Sequence, residues 1–230
     1  MTFSVVLPCF NEEKNIEASV RDVQAWMERA SLQGEIIVVD DGSTDGSPRI
    51  LADLQRELSA LRVVRLQENG GYGIAVRAGC DAALSDVIGF MDSDGQFLAA
   101  DFSLLLPHLD AVPFVTGRRR KRADSLLRNA FGKVLGAMNV LVLGLWVRDV
   151  NCGLKVFLRE IWPDIRPVHG VEKLFNTEMF LRLKQKHIPW KQVDVPHYPR
   201  RAGVPTGGSI RVIVRMFHEL ANLKRSQRSI

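Results

Sequence analysis

The chain has 230 residues, 46% of them apolar and 25% charged, with a formal charge of +5. That composition excludes a disordered chain, a collagen-like repeat and a coiled coil, and the length suffices for a full core without covalent staples. Three scattered cysteines, Cys9, Cys80 and Cys152, exclude a disulfide framework or zinc cluster and read as free thiols of a reducing compartment.

Residues 3–7 form a short apolar strand stopped by Pro8. Asn11 follows as a helix N-cap with Glu12 and Glu13 in the first turn, and Ile16, Val20, Val23, Met27 and Ala30 fall on one helical face. Residues 35–40 are a β-branched run of the kind buried on both sheet faces. Residues 41–48 are turn chemistry, and Asp45 or Ser47 can cap the helix over 50–58. A third strand covers 61–66. Gly70-Gly71-Tyr72-Gly73 then opens a helix with a small-residue stripe, Ala75, Ala78, Gly79 and Ala82. A fourth strand, 86–91, ends on Asp92. Strands recurring every 26 to 30 residues or so, with helices between, predict βαβ units and a mostly parallel sheet.

The second half is less regular. It reads as a strand at 111–116, a basic stretch, an apolar run at 134–147, a strand at 154–158, a helix over 173–186 and a strand at 191–195. A Pro/Gly loop and a last helix from about Ser209 complete it. The 14-residue run 134–147 is shorter than the roughly 20 residues a span requires, so it is a core helix or an interfacial segment. The apolar start lacks a basic lead-in and is not a signal peptide. With neither repeats nor linkers, residues 1–230 read as one domain, with a nucleotide-binding half at 1–96 and an acceptor half at 97–230.

Charge is unevenly spread. Residues 118–133 and 200–228 each carry net +6, which leaves −7 for the remainder. A basic surface facing phosphate groups, acidic lipid or nucleic acid follows. The chain has no RNA-binding aromatic signature, helix-turn-helix pattern or zinc site, so nucleic acid is not the expected partner.

Ligands of parallel sheets bind beyond the carboxyl ends of the strands. Four polar segments sit there: 8–12, 40–45, 67–71 and 92–96. Asp92 and Asp94 can reach one hard cation, Mg²⁺ or Mn²⁺, which usually keeps water and phosphate as its other ligands. A plain Ser-Asp-Gly turn is the competing reading. Residues 41–52 lack the closing glutamate of a calcium loop. The glycine cluster lacks Gly-Lys-Ser/Thr, so it is not a phosphate loop. Close helix packing, or close approach of the backbone to a ligand, is its expected role. Asp40 and Asp41 can accept hydrogen bonds from a base edge or ribose.

Val5-Val6-Leu7-Pro8-Cys9-Phe10-Asn11-Glu12-Glu13, Val38-Val39-Asp40-Asp41-Gly42-Ser43-Thr44-Asp45 and Asp92-Ser93-Asp94, in this order, resemble family 2 glycosyltransferases of the GT-A fold. Gly117-Arg118, Asp149 with Cys152-Gly153-Leu154-Lys155, Phe175 to Met179, and Tyr198-Pro199-Arg200 with Gly203 resemble its polyprenyl-phosphate branch, which includes dolichol-phosphate mannose synthase. The resemblance implies an α/β fold, a Rossmann-like mostly parallel sheet flanked by helices, with basic amphipathic helices in the C-terminal half. It implies an inverting hexosyltransferase that moves a sugar from a UDP- or GDP-linked donor to a polyprenyl (dolichyl or undecaprenyl) phosphate. The protein would work peripherally on the cytoplasmic face of the membrane, with no transmembrane segment. Pro8, Phe10, Glu12, Asp40 and Asp41 would line the nucleoside pocket. Asp92 and Asp94, with Gln96, would hold a divalent Mg²⁺ or Mn²⁺ ion. Arg118, Arg128 and Arg200 would bind the acceptor phosphate, and Glu178 would face the sugar as a catalytic group. Gly132 stands where the mannose synthases have a serine, and the loop after Arg200 is longer than theirs.

A phosphate monoester is largely a dianion at pH 7 and needs cations rather than a general base. A hydroxyl acceptor on a glycan or glycolipid would need a base, for which Glu178 or Asp149 is available. A homologue that binds nucleotide sugars without chemistry is the third reading. Residues 118–133 and the helix after them are expected to lie on an anionic membrane, with Trp146 near the interface.

Overall fold

The computed structural model describes residues 1–120, 143–171 and 174–200. Seven strands form one sheet: β1 (Phe3–Cys9), β2 (Gly34–Asp40), β3 (Leu61–Arg65), β4 (Val87–Phe90), β5 (Phe114–Arg119), β6 (Lys155–Leu158) and β7 (Trp190–Val195), in the order β3-β2-β1-β4-β6-β5-β7. The first four pair in parallel, as the βαβ pattern predicts. β6 runs antiparallel to both β4 and β5, while β7 is parallel to β5. That single reversal brings the carboxyl ends of β4, β5 and β7 and the start of β6 to one rim.

The helices are α1 (Ile16–Arg29), α2 (Ser47–Glu57), α3 (Tyr72–Ala82), the short α4 (Phe102–Leu105) and α5 (Trp162–Ile165), and α6 (Leu174–Gln185). Alternation along β1 divides the core between the two sheet faces. Phe3, Val5 and Leu7 pack with Val20, Val23 and Trp26 of α1 and Phe102 of α4. Val6 packs on the other face with Val76 of α3 and Phe175 and Phe180 of α6. Each such side chain, fully buried, contributes about 1.5–3 kcal/mol. The small stripe of α3 does the packing the sequence assigns to it. A Cβ on Gly79 would fall 2.2 Å from Cγ1 of Val6, so the helix lies directly on β1.

Three expectations are corrected. Asn11 does not cap α1, which begins at Ile16. Asn11 adopts a left-handed φ of 54°, and its Oδ1 accepts the Thr44 N–H at 2.8 Å, so it ties the first rim loop to the second. The fifth strand runs three residues further than expected and takes Arg118 and Arg119 into the sheet. Residues 144–147 are not helical: Gly144 has φ +61°, and Leu143, Leu145 and Val147 are buried while Trp146 stands out to solvent. The remainder of the basic stretch, the rest of the apolar run, the loop after Arg200 and the expected last helix lie outside the described residues.

Candidate active site

The first two rim loops are stitched together. Asp41 N donates to Cys9 O at 2.8 Å, Asn11 N to Ser43 Oγ at 3.0 Å, and Glu12 N to Ser47 Oγ at 3.0 Å. Asp45, expected as a cap of α2, accepts the Ser47 N–H at 2.9 Å. Asp40 and Asp41 have separate jobs. Asp41 accepts Gly70 N and Gly71 N at 2.8 and 2.9 Å, which fixes the glycine turn at the start of α3. Burial still pushes its carboxyl upward. Asp40 spends Oδ1 on Ser43 N, while its buried Oδ2 accepts no hydrogen bond and lies 3.5 Å from Nε of Arg65, its register partner on β3. An unsatisfied buried acceptor beside a cation offers a polar edge for a base. Phe10 is exposed at this rim, and Pro8 O accepts the Ser93 hydroxyl at 2.6 Å.

Asp92 follows β4. Burial and the Asp94 charge push its carboxyl up to about 6, while Tyr72, Arg119 and Lys155 pull it back. Gly153 lies against it, and a Cβ there would fall 2.1 Å from Oδ2. Asp92 Oδ1 is buried and accepts no hydrogen bond. An orphaned carboxylate oxygen beside a second carboxylate fits a hard divalent cation. Among the described residues, no group of three or more His, Cys, Asp or Glu side chains could hold a metal ion alone. Asp92 and Asp94, with the Gln96 amide, could hold such an ion if phosphate and water supplied the remaining ligands.

Tyr198 N donates to Gln96 O at 3.0 Å, Gln96 Nε2 to Tyr198 O at 3.4 Å, and the His197 ring meets Phe97 edge-on. These contacts dock the segment after β7 across Gln96 and Phe97. Its Arg200 guanidinium binds Glu12 and reaches Asp94 Oδ2 at 3.5 Å. Burial raises the Glu12 carboxyl, and Asn15 and Arg200 work against that rise.

The two arginines at the end of β5 diverge because successive strand residues face opposite ways. Arg118 pairs with Asp194, directly opposite on β7, and both are partly exposed. Arg119 turns inward. Its backbone N–H, Nε and Nη2 all donate to the Asp149 carboxylate, at 3.0, 2.8 and 2.7 Å, and its charge is felt at Asp92. The structure therefore turns Arg119 toward the acidic pair, while Arg118, expected at the acceptor phosphate, pairs with Asp194. Arg128 lies outside the described residues.

Glu178, expected to face the sugar, is placed by the structure against the 168–171 loop. Its two oxygens accept the N–H groups of Val168, His169 and Gly170 at 2.8, 2.8 and 2.7 Å and Nε of Arg182 at 3.0 Å. Every lone-pair direction of this buried carboxylate is engaged. It fastens the 168–171 loop, whose Val171 O accepts Gly73 N at 2.7 Å, onto the start of α3. Residues the sequence reading gave no role here are Tyr72, Arg119 and Lys155.

The model described as "Glycosyl transferase family 2" matches residues 4–165. A dodecaprenyl-phosphate galacturonate synthase of Rhizobium johnstonii is 29% identical over 215 residues, 92% of this chain and 63% of that protein. An undecaprenyl-phosphate 4-deoxy-4-formamido-L-arabinose transferase of Aeromonas hydrophila is 32% identical over 160 residues, 69% of this chain and 49% of that protein. The chain thus spans less than two thirds of the length of both relatives. Among solved structures, glucosyl-3-phosphoglycerate synthase of Mycobacterium tuberculosis, in complex with Mn²⁺, UDP and glucosyl-3-phosphoglycerate, aligns with a TM-score of 0.68 at 24% identity, over 96% of this chain and 80% of that one. Mannosyl-3-phosphoglycerate synthase of Rubrobacter xylanophilus aligns with a TM-score of 0.71 at 20% identity, over all of this chain and 76% of that one. These two likenesses carry the fold, which is GT-A as expected. With the family model matching well over half of its length, the chain belongs to glycosyl transferase family 2.

Proposed function

We propose that this chain transfers a sugar from a nucleoside-diphosphate sugar to the phosphate of a polyprenyl phosphate. The observation that carries the reading is the state of the carboxylates available as bases. Glu178 is saturated by three backbone N–H groups and Arg182, and Asp149 is clamped to Arg119. A hydroxyl acceptor needs a proton acceptor, whereas a phosphate dianion needs a positioned cation. Arg119 supplies positive charge on this side of the site, with its Nε and Nη2 already held by Asp149.

In the proposed reaction an acceptor phosphate oxygen bonds to the anomeric carbon as the bond from that carbon to the donor diphosphate breaks. No proton changes hands, and configuration inverts. Asp40 Oδ2 accepts the ring N–H of a uracil or guanine edge, with Arg65 beside it as a donor to the neighbouring carbonyl. A divalent ion held by Asp92, Asp94 and Gln96 would stabilise the charge that gathers on the departing diphosphate. Arg119 orients the incoming phosphate, with Arg118, Arg128 and Arg200 serving the approach of the anionic head. The structure neighbours' Mn²⁺ and UDP and the relatives' polyprenyl-phosphate names support this assignment.

The acceptor places the enzyme at a membrane surface, on the cytoplasmic face in this reading. No helix among the described residues is long and apolar enough to cross a bilayer. Exposed Trp146, with the Arg148 guanidinium 5.8 Å from its ring centre, suits the headgroup layer. The test is a panel of UDP and GDP sugars incubated with Mn²⁺ and a polyprenyl phosphate, with the lipid read by mass spectrometry. The expected product carries one added hexose-type mass. A lipid unchanged across the panel, alongside transfer to a glycan hydroxyl, would overturn the reading.

A further inference from the structure

Among the described residues, Lys155 is the one cation in the fully buried core, and the reaction scheme does not use it. It opens β6, between Phe90 at the end of β4 and Thr116 of β5. Its Nζ donates to Cys152 O and lies 3.4 Å from Val150 O. It also sits 5.2 Å and 5.9 Å from the ring centres of Phe90 and Phe180. Desolvation pushes the amine down to about 8, and the nearby Asp149 and Asp92 carboxylates oppose that fall. A buried ammonium is costly unless its donors are satisfied, so these carbonyls and ring faces are what the fold supplies for it.

The carbonyls it grips belong to the 149–153 loop, which touches the candidate site twice. At one end Asp149 clamps Arg119. At the other, Gly153 stands so close to the Asp92 carboxylate that no side chain fits between them. Between these ends the ammonium holds the loop from beneath.

We propose that Lys155 is a positioning residue: by pinning the carbonyls of Val150 and Cys152 it sets the loop that presents Asp92 to the divalent cation and Arg119 to the acceptor phosphate. This rests on the metal-site reading given under the proposed function. The sign of one effect separates positioning from electrostatics. Removing a positive charge near Asp92 strengthens binding of a divalent cation if charge alone matters. Loosening the loop weakens it.

The test measures Mn²⁺ binding to the whole chain by electron paramagnetic resonance, without turnover, for wild type, Lys155→Met, Gly153→Ala and the double variant. Lys155→Met keeps the length and apolar stem and removes the donors. The expected result is Mn²⁺ affinity weakened by about tenfold in each single variant. The double variant should be little worse than either, as for two changes acting on one loop. In turnover, Lys155→Met should lower kcat and raise the acceptor KM together. Mn²⁺ affinity that is unchanged or tighter in folded Lys155→Met overturns the proposal. If Lys155→Met does not fold, Lys155→Gln carries the same expectation. Failure of both to fold also counts against positioning, because the ammonium then serves the core. Absence of Mn²⁺ binding in wild type would instead overturn the metal-site reading itself.

Discussion

Arg200 Nη1 lies 3.5 Å from Asp94 Oδ2 while the same guanidinium is bound to Glu12, so a cation from the segment after β7 already sits on the acidic pair. A divalent ion and this arginine compete for one carboxylate, and linkage makes the competition reciprocal. Replacing Arg200 by glutamine should tighten Mn²⁺ binding by about fivefold, the scale of a partly exposed ion pair. It should also raise the KM for the acceptor. Calorimetry with Mn²⁺ checks the first effect and steady-state kinetics the second. Unchanged Mn²⁺ affinity would mean that the pair has no bearing on the metal site.

The neighbouring arginines at the end of β5 should behave oppositely. Arg118→Ala breaks only a partly exposed, salt-screened pair with Asp194 and should leave the melting temperature nearly unchanged. Arg119→Ala strands the buried Asp149 carboxylate, a loss on the order of 3–5 kcal/mol. Arg119→Lys keeps the charge but not the fork, and should lower transfer by at least about tenfold with a smaller loss of stability. Thermal melts and kcat/KM on the three variants check this. Equal activity loss in Arg118→Ala and Arg119→Lys would contradict the division of labour.

Glu178→Gln tests whether that carboxylate is chemical or structural. The amide cannot accept all four donors, so the 168–171 loop should loosen. The cost is about 1.5–3 kcal/mol, with a fall of roughly 2–4 °C in melting temperature for each kcal/mol. Activity per folded molecule at low temperature should stay within about threefold of wild type, far from the 10²–10⁴-fold typical of a lost general base. A collapse of kcat with unchanged stability would restore Glu178 to the chemistry.

Much of the N-terminal half was legible in the sequence because local rules and tertiary demands agree there. The β2 run Ile36 to Val39 is buried on both faces and admits no other reading, and Asp40, Asp41, Asp92 and Asp94 follow strand ends whose role topology dictates. The second half was harder for identifiable reasons. In Gly117-Arg118-Arg119-Arg120 the composition does not reveal strand phase, and a one-residue shift reverses which arginine faces the site. The Glu178 residue type fits a base as well as a loop clamp, and only the 168–170 backbone, eight to ten residues earlier, decides. The Lys155 environment is assembled from β4, α6 and the 149–153 loop, which no local pattern announces.

The buried charge at Asp92 should cost stability. Its folded pKa of about 6 exceeds the 3.8 of an ordinary aspartate, so the ionised form disfavours the fold above pH 6, and the cost is relieved as pH falls toward 3.8. Asp92→Asn should therefore abolish transfer yet melt higher than wild type at pH 7.5 in the absence of metal. That gain should shrink between pH 6 and pH 4 or so. Differential scanning calorimetry across this range checks the sign. An asparagine variant less stable than wild type at pH 7.5 would contradict it.

In the proposed reaction phosphate, not hydroxyl, is the acceptor. The most direct measurement pairs a polyprenyl phosphate with the corresponding polyprenol, each incubated with the enzyme, Mn²⁺ and a radiolabelled nucleotide sugar, followed by mild acid treatment of the lipid product. The expected result is label transferred only to the phosphate-bearing lipid and released by mild acid. Label on the polyprenol, or an acid-stable product, would contradict the account.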